Sequence, residues 1–243
     1  MLKSFGSGLN VAVAGATGGI GAALCARFAE MPSVDRLFTL SRDPGPEARD
    51  LYLDLTDEAS IAAAGDTIRS RAGTLHLVIA ATGTLHDGGD FQPEKSWRAL
   101  DPENLAHAFR VNATGPALFA KHFLPLLARD RKAAFAALSA RVGSISDNAL
   151  GGWYAYRASK AALNMLIRSL SIELARRSPQ ALCVGLHPGT VDTPLSVPFR
   201  GAVPDGQLFS PDHAAVCLLD VLDGLSPLDT GGVFDWAGQS VPA

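Results

Sequence analysis

Tyr156 and Lys160 stand four residues apart in Gly151-Gly-Trp-Tyr-Ala-Tyr-Arg-Ala-Ser-Lys160, which runs on into Ala161-Ala-Leu-Asn164. Ala158, Ala161, Ala162, Leu163, Met165, Leu166, Ile167 and Leu170 are helix formers, so the run predicts a helix with both side chains on one face. A phenol in water ionises near pH 10, and a fixed cation beside it favours phenolate. Bringing that value to about 7 takes about 4 kcal/mol, within reach of a close ammonium and a second positive charge. Such a phenol exchanges a proton with an alcohol or carbonyl oxygen at neutral pH. Of the three tyrosines, only Tyr156 is followed by lysine at this spacing; Tyr52 and Tyr154 are followed by Thr56 and Ala158. The same pair is also an ordinary surface pairing, so its meaning depends on a nucleotide site elsewhere.

That site is predicted near the N-terminus. Asn10-Val-Ala-Val-Ala-Gly15 reads as a buried parallel strand, and Ala22 to Glu30 as a helix. Between them lies Gly15-Ala-Thr-Gly-Gly-Ile-Gly21. Gly15 permits the tight turn, Gly19 lets a phosphate approach the backbone, and Gly21 lets strand and helix pack closely. The N–H groups of the helix start then face a pyrophosphate. The second strand, Arg36 to Ser41, ends where an adenosine ribose would lie. Ser41 and Arg42 stand there instead of an acidic residue, and an arginine fork suits a 2′-phosphate, which favours NADP(H) over NAD(H). Asp54, followed by Leu55, ends a third strand that begins at Asp50. Its carboxylate either meets the adenine amino group or caps the helix starting near Asp57.

Thr74 to Gly83 reads as the fourth strand, and Gly83 leaves room for a ribose. Leu85 to Arg98 is an irregular surface excursion. Pro102 to Leu127 has one long helical pattern, with a break expected at Gly115-Pro116 beside Asn112. Ala133–Leu138, Ala181–Leu186 and Gly232–Trp236 are further strands; Glu58–Arg71 and Pro211–Leu222 are helices, the last capped by Ser210. Leu195 to Phe209, with Val197, Phe199, Val203, Leu208 and Phe209, suggests an apolar substrate lid. Strands and helices alternate without repeat or linker. The expected fold is therefore α/β: one doubly wound, Rossmann-like parallel sheet with helices on both faces, spanning residues 1–243 as a single domain.

Composition narrows the class. A net charge of −3 with mixed signs offers no nucleic-acid surface. Cys25, Cys183 and Cys217 sit in apolar segments and read as buried thiols in a reducing compartment. No CxxC or HExxH pattern occurs, so no metal is expected. The first residues lack the apolar core of a signal peptide, and no apolar run has membrane-spanning length, which predicts a cytoplasmic protein.

Taken in order, Gly15-x-x-x-Gly19-Ile-Gly21, the loop ending in Gly83, Asn112, Tyr156-x-x-x-Lys160, and Pro188-Gly189 followed by Thr193 resemble the short-chain dehydrogenase/reductase family over nearly the whole chain. Gly143-Ser-Ile-Ser-Asp-Asn and the Tyr156 segment are similar to its C-factor-like and sniffer-like carbonyl reductase branch. The resemblance implies Tyr156 as general acid/base. It implies Lys160 on the nicotinamide ribose, lowering the tyrosine pKa, and Asn112 holding a water that relays protons to Lys160. Gly15, Thr17, Gly19 and Ile20 would meet the pyrophosphate, and Ser41, Arg42, Asp54 and Leu55 the adenosine end. Ala81 and Gly83 would lie by the ribose, and Pro188, Val191 and Thr193 by the nicotinamide. A homodimer or homotetramer through the long helices is implied as well.

Four positions depart from the family pattern. Ala140 occupies the place of the usual catalytic serine, within Ser139-Ala-Arg-Val-Gly143, so Ser139 or Ser144 would have to stand in. The loop before Gly83 is Ala80-Ala-Thr rather than Asn-Asn-Ala. Gly18 replaces a basic residue that many NADP-dependent members carry, leaving Arg42 alone for a 2′-phosphate. Ala14 replaces the usual threonine before the first glycine. Three functions fit these residues. The first is an NADP(H)-dependent reductase of a small carbonyl compound, or the reverse dehydrogenase. The second is a nucleotide-binding, C-factor-like signalling protein with little turnover, suggested by Ala140. The third is a nucleotide-sugar epimerase, against which the short stretch after Pro194 counts.

Overall fold

The computed structural model describes residues 1–202 and 206–243. Seven parallel strands form the main sheet: β1 (Leu9–Ala14), β2 (Val34–Ser41), β3 (Asp50–Tyr52), β4 (Leu77–Ala80), β5 (Ala133–Leu138), β6 (Ala181–His187) and β9 (Val233–Asp235). Their spatial order is β3-β2-β1-β4-β5-β6-β9, so the direction of winding reverses between β1 and β4. A crevice opens at the carboxyl ends of strands at such a reversal. β7 (Thr190–Val191) and β8 (Leu208–Phe209) form a separate two-stranded parallel pair that sequence periodicity does not reveal.

Small and branched residues with both faces covered explain the apolar runs. On one face α2 (Glu58–Ala72), α4 (Gly115–Phe123) and α5 (Tyr154–Arg177) bury Ile61, Ile68, Phe119, Phe123, Leu163 and Ile167 against Phe38, Val78 and Phe135. On the other, α1 (Gly19–Ala29) and α6 (Pro211–Gly224) bury Leu24, Phe28, Leu218 and Leu222 against Val11, Ile79 and Val184. Truncating one of the central phenylalanines to alanine should cost about 3–5 kcal/mol.

The expected long helix is divided. α3 (Pro102–Phe109) gives way to a π turn over Arg110–Thr114, where the Gly115 N–H bonds the Arg110 carbonyl, before α4 resumes. Pro116 has no N–H to give, and Gly115 passes so close to Leu55 that a Cβ there would lie 2.9 Å from the Leu55 Cβ. β3, β4 and β9 are shorter than their patterns, whereas β2 and β6 are longer. β3 stops at Tyr52, beyond which Asp54 turns its carboxylate onto Thr56, and Leu75 makes only an isolated bridge to Leu127 before β4. Ser210 caps α6 as expected, accepting from the His213 N–H at 3.1 Å. Among the cysteines Cys183 is buried as expected, while Cys25 and Cys217 are only half-buried.

The segment expected as a lid is partly ordered structure: Val197–Ala202 is a 3-10 turn, and Leu208–Phe209 is β8. Phe209 packs edge-on against Trp236 with ring centroids 4.8 Å apart, whereas Val197 and Leu208 are exposed. Val203 and the Phe199 side chain lie outside the described residues.

Candidate active site

The turn after β1 is shaped by absent side chains. Gly15 has φ +83°, and a Cβ on it would stand 2.6 Å from the Ala81 carbonyl oxygen. A Cβ on Gly21 would run into the Gly15 carbonyl, and one on Gly19 would stand 2.5 Å from the Thr193 methyl. Gly18 is the N-cap of α1 and offers no side-chain acceptor. The first-turn N–H groups therefore point outward without a side-chain cap, under the positive end of an 11-residue helix. The residues present fit a pyrophosphate: backbone donors, no Cβ in the way, and exposed Thr17 beside the turn. Ile20 is half-buried and packs into the α1–α6 core; Ala81 extends the ladder, donating to the Ala14 carbonyl at 2.8 Å.

At the end of β2, Ser41 is buried and Arg42 exposed, and among the described residues Arg42 enters no salt bridge. Asp54 does not cap α2; Asp57 does, accepting from the Ala59 N–H at 3.0 Å. Asp54 instead accepts from the Thr56 N–H and hydroxyl, both at 2.8 Å. The Thr56 N–H foremost, helped by the Thr56 hydroxyl and the Arg42 charge, holds its carboxyl below the usual range despite some burial. Leu55 is buried beneath Gly115.

The α5 residues meet the sheet across from this turn. Lys160 is 2 % exposed and donates from Nζ to the Leu138 carbonyl at 2.7 Å. Its Nζ lies 5.8 Å from the centre of the Tyr156 ring. A Cβ on Gly83 would sit 3.4 Å from both Lys160 Nζ and Asn112 Oδ1, so Gly83 borders both. Asn112 is fully buried. Its Oδ1 accepts from the Thr84 N–H at 2.8 Å, and its Nδ2 donates to the Thr84 carbonyl at 2.8 Å and the Ser159 hydroxyl at 3.1 Å.

Burial governs the electrostatics of this pair. Tyr156 keeps part of its surface accessible, yet burial pushes its phenol up to about 12. Burial also pushes the Lys160 ammonium down to about 8. Desolvation disfavours the charged form of both groups, and the ammonium is turned to a carbonyl rather than to the phenol. At neutral pH the phenol keeps its proton.

The serine positions are also resolved. Ala140 is buried and carries no hydroxyl. Ser139 has just left β5 and donates its hydroxyl to Asn164 Oδ1 at 2.6 Å. A hydroxyl has one proton, so donation to a substrate requires that bond to open. Ser144, 2 % exposed, accepts from the Asp147 N–H at 3.1 Å.

Sequence reasoning missed the residues that fasten the β5–α5 turn. Arg141 bonds Asp147 and Asp235, both at 3.0 Å. Arg157 donates from Nε to the Gly151 and Gly152 carbonyls at 3.2 and 3.0 Å. Gly143 lies so near α5 that a Cβ would stand 2.8 Å from the Lys160 Cβ. His187, at the end of β6, has a buried Nδ1 with no partner among the described residues. Burial, then the Arg141 charge and, more weakly, Lys160, push its imidazole down to about 4 against the pull of Asp235. Pro188-Gly189 follows, with Gly189 at φ +77° against Phe209 and Trp236; Val191 is buried in β7. No spacing signal marks Arg141 or Arg157: Arg157 bonds backbone carbonyls, and Arg141 pairs with both nearby Asp147 and distant Asp235.

A parallel sheet with a glycine crevice at its switch point and a Tyr–Lys pair beside it defines a nicotinamide-dependent oxidoreductase. The chain belongs to the short-chain dehydrogenase family, whose model matches residues 9–202. It is 40% identical over 149 residues to a C-signal protein of Myxococcus xanthus, covering 60% of this chain and 84% of that one. It is 30% identical over 184 residues to a 1-hydroxy-2-glutathionyl-2-methyl-3-butene dehydrogenase of Rhodococcus sp. (strain AD45), covering 75% and 74%. The crystal structure of an NADPH-bound carbonyl reductase from chicken fatty liver superposes with TM-score 0.84 at 28% identity, over 98% of this chain and 100% of that one. The carbonyl reductase Sniffer of D. melanogaster shares the fold, with TM-score 0.83 at 23% identity over 96% and 99%. The likeness to the C-signal protein places the chain in the C-factor-like branch of the family. No helix among the described residues is long and apolar enough to cross a membrane.

Proposed function

We propose that this chain reduces a small carbonyl compound with NADPH, with Tyr156 as the proton donor. The observation that carries the reading is the Tyr156 phenol, held on α5 one turn from Lys160, whose buried Nζ lies 5.8 Å from the centre of the phenol ring. A bound nicotinamide supplies the hydride. Tyr156 gives its proton to the substrate oxygen, and the Lys160 ammonium steadies the phenolate left behind. The Asn112 side chain pins Thr84, and with it the Gly83 loop, against Lys160. Any water relay therefore falls to the Asn112 backbone carbonyl, at the π turn. Pro188, Val191 and Thr193 would flank the nicotinamide, and the segment 195–209 the substrate.

Arg42 supports NADP(H): it is exposed at the end of β2, in no salt bridge among the described residues, and close enough to Asp54 to lower its pKa. The NADPH-bound carbonyl reductase that the fold matches supports the same reading. The test is oxidation of NADPH and NADH, in parallel, against a panel of aldehydes, ketones and quinones. Arg42→Ala should lower the ratio of NADPH to NADH affinity by about 10-fold, the order expected for losing one charge-assisted phosphate contact. An unchanged ratio would refute the assignment.

One observation favours a second reading, a nucleotide-binding signalling protein with little turnover. Ala140 offers no hydroxyl and that of Ser139 is committed to Asn164. Loss of such a donor removes about 3 kcal/mol of barrier stabilisation. Tight cofactor binding with no turnover across the panel would favour it. Exposed Met165 and Ile172 on α5 support pairing of two copies through that helix.

A further inference from the structure

We propose that Glu94 is a positioning residue for Tyr156, capping the catalytic helix from the substrate-side loop. The proposal rests on the reading of Tyr156 as proton donor. α5 begins without a cap of its own: its N-cap, Trp153, is left-handed at φ 50° and makes no side-chain cap bond. Gly151 and Gly152 before it are also left-handed, at φ 65° and 67°. Three such residues in a row turn the chain abruptly into the helix, and Trp153 is strained there because it carries a Cβ.

Glu94 meets this start twice. Its backbone carbonyl accepts from the Trp153 N–H at 2.6 Å, and its Oε2 accepts from the Ala155 N–H at 3.1 Å. One residue thus does what a capping box does within a helix, from 61 positions away, and its carboxylate faces the positive end of α5. Glu94 is 4 % exposed, and its other oxygen, Oε1, is buried with no partner among the described residues. Phe91, in the same loop, is buried against Ala155 and Ala108. Tyr156 is the next residue after Ala155.

The loop carrying Glu94 touches the other parts of the site. It starts at Thr84, held by Asn112, and His86 Nε2 lies 3.1 Å from the Leu195 carbonyl of the segment after β7. A shift in this loop would move the start of α5, and Tyr156 with it. The buried Glu94 carboxylate is thus tied to the residue that precedes Tyr156.

The experiment compares Glu94→Ala, Glu94→Gln and Glu94→Asp in the full chain, reading NADPH-dependent turnover and amide hydrogen exchange. The amide of Arg157, bonded to the Trp153 carbonyl at 2.8 Å, reports the first turn of α5. Glu94→Ala should lower kcat by roughly 10- to 100-fold, the effect of a misplaced catalytic group, with KM for NADPH within about twofold. Exchange at Arg157 should quicken at least about 10-fold while Ile167, mid-helix, is unchanged. Glu94→Gln keeps an acceptor at the same reach and should stay near wild type; Glu94→Asp keeps the charge, loses the reach and should resemble Glu94→Ala. A folded Glu94→Ala protein with wild-type kcat and Arg157 protection would overturn the proposal. So would a glutamine variant as impaired as alanine, or a drop in activity that matches only the loss of folded protein. Should Glu94→Ala fail to fold, the Gln and Asp variants decide alone, and an active Asp with an inactive Gln overturns it. If the wild type oxidises NADPH with no carbonyl compound, the reductase reading falls, and exchange at Arg157 by itself decides the role of Glu94.

Discussion

Two helices start at this site, and they treat the same problem in opposite ways. α1 begins at Gly18 with no side-chain acceptor, so its first N–H groups and its positive end remain open. α5 begins at Trp153 with no acceptor of its own, yet a buried carboxylate from a distant loop closes it. An open start invites an anion from outside; a closed start holds a side chain in place. On the proposed function, the first terminus would take a diphosphate and the second would aim a phenol.

Breaking the open terminus should have the largest effect. Gly21→Ala drives a Cβ into the Gly15 carbonyl, backbone against backbone. The strand–helix packing should lose several kcal/mol, as overpacking costs about 1–3 kcal/mol even where side chains can yield. Thermal unfolding should show a large fall in Tm, and fluorescence titration no NADPH binding; a stable, cofactor-binding variant would contradict the packing role.

A subtler change makes α1 resemble α5. Gly18→Asp places a carboxylate at the N-cap of α1, where φ −78° and ψ 162° suit any residue. It should shift stability by only a few tenths of a kcal/mol, since glycine is already a fair N-cap. It should weaken NADPH binding by at least about 10-fold through like-charge repulsion. Unchanged affinity by titration would show that the α1 terminus is not the phosphate site.

The legible part of the site was that carried by local spacing. Gly15, Gly19 and Gly21 announced the turn, Tyr156 and Lys160 their shared helix face, and Gly115-Pro116 the break beside Asn112. What escaped is tertiary. Glu94 caps a helix 61 residues away, and Arg141 reaches Asp235, 94 residues on. The burial that raises the phenol depends on the packed loops around it, which no local spacing reveals. The β7–β8 pair has two residues in each strand, too short for any periodicity.

The smallest effect separates the catalytic side from the nucleotide side by pH. The folded-state value of Lys160 is depressed to about 8 from 10.5. The unfolded chain therefore binds more protons than the folded one between those values, and stability should rise with pH across that window. His187, depressed to about 4 from 6.5, adds a like rise between pH 4 and 6.5. Tyr156, raised to about 12 from 10.0, acts oppositely, so stability should fall above pH 10. Lys160→Met should flatten the rise above pH 8 in urea titrations, while Arg42→Ala should not; an unaltered slope in Lys160→Met would contradict the burial argument.

The most direct test of the central claim is steady-state NADPH oxidation by wild type and Tyr156→Phe with one carbonyl substrate from the panel. Phenylalanine keeps the ring and removes the hydroxyl group that would give the proton. The account predicts a loss of kcat of roughly 10²- to 10⁴-fold, the worth of a positioned general acid, with NADPH affinity unchanged. Wild-type turnover in Tyr156→Phe would contradict it, because another group would then be protonating the substrate oxygen.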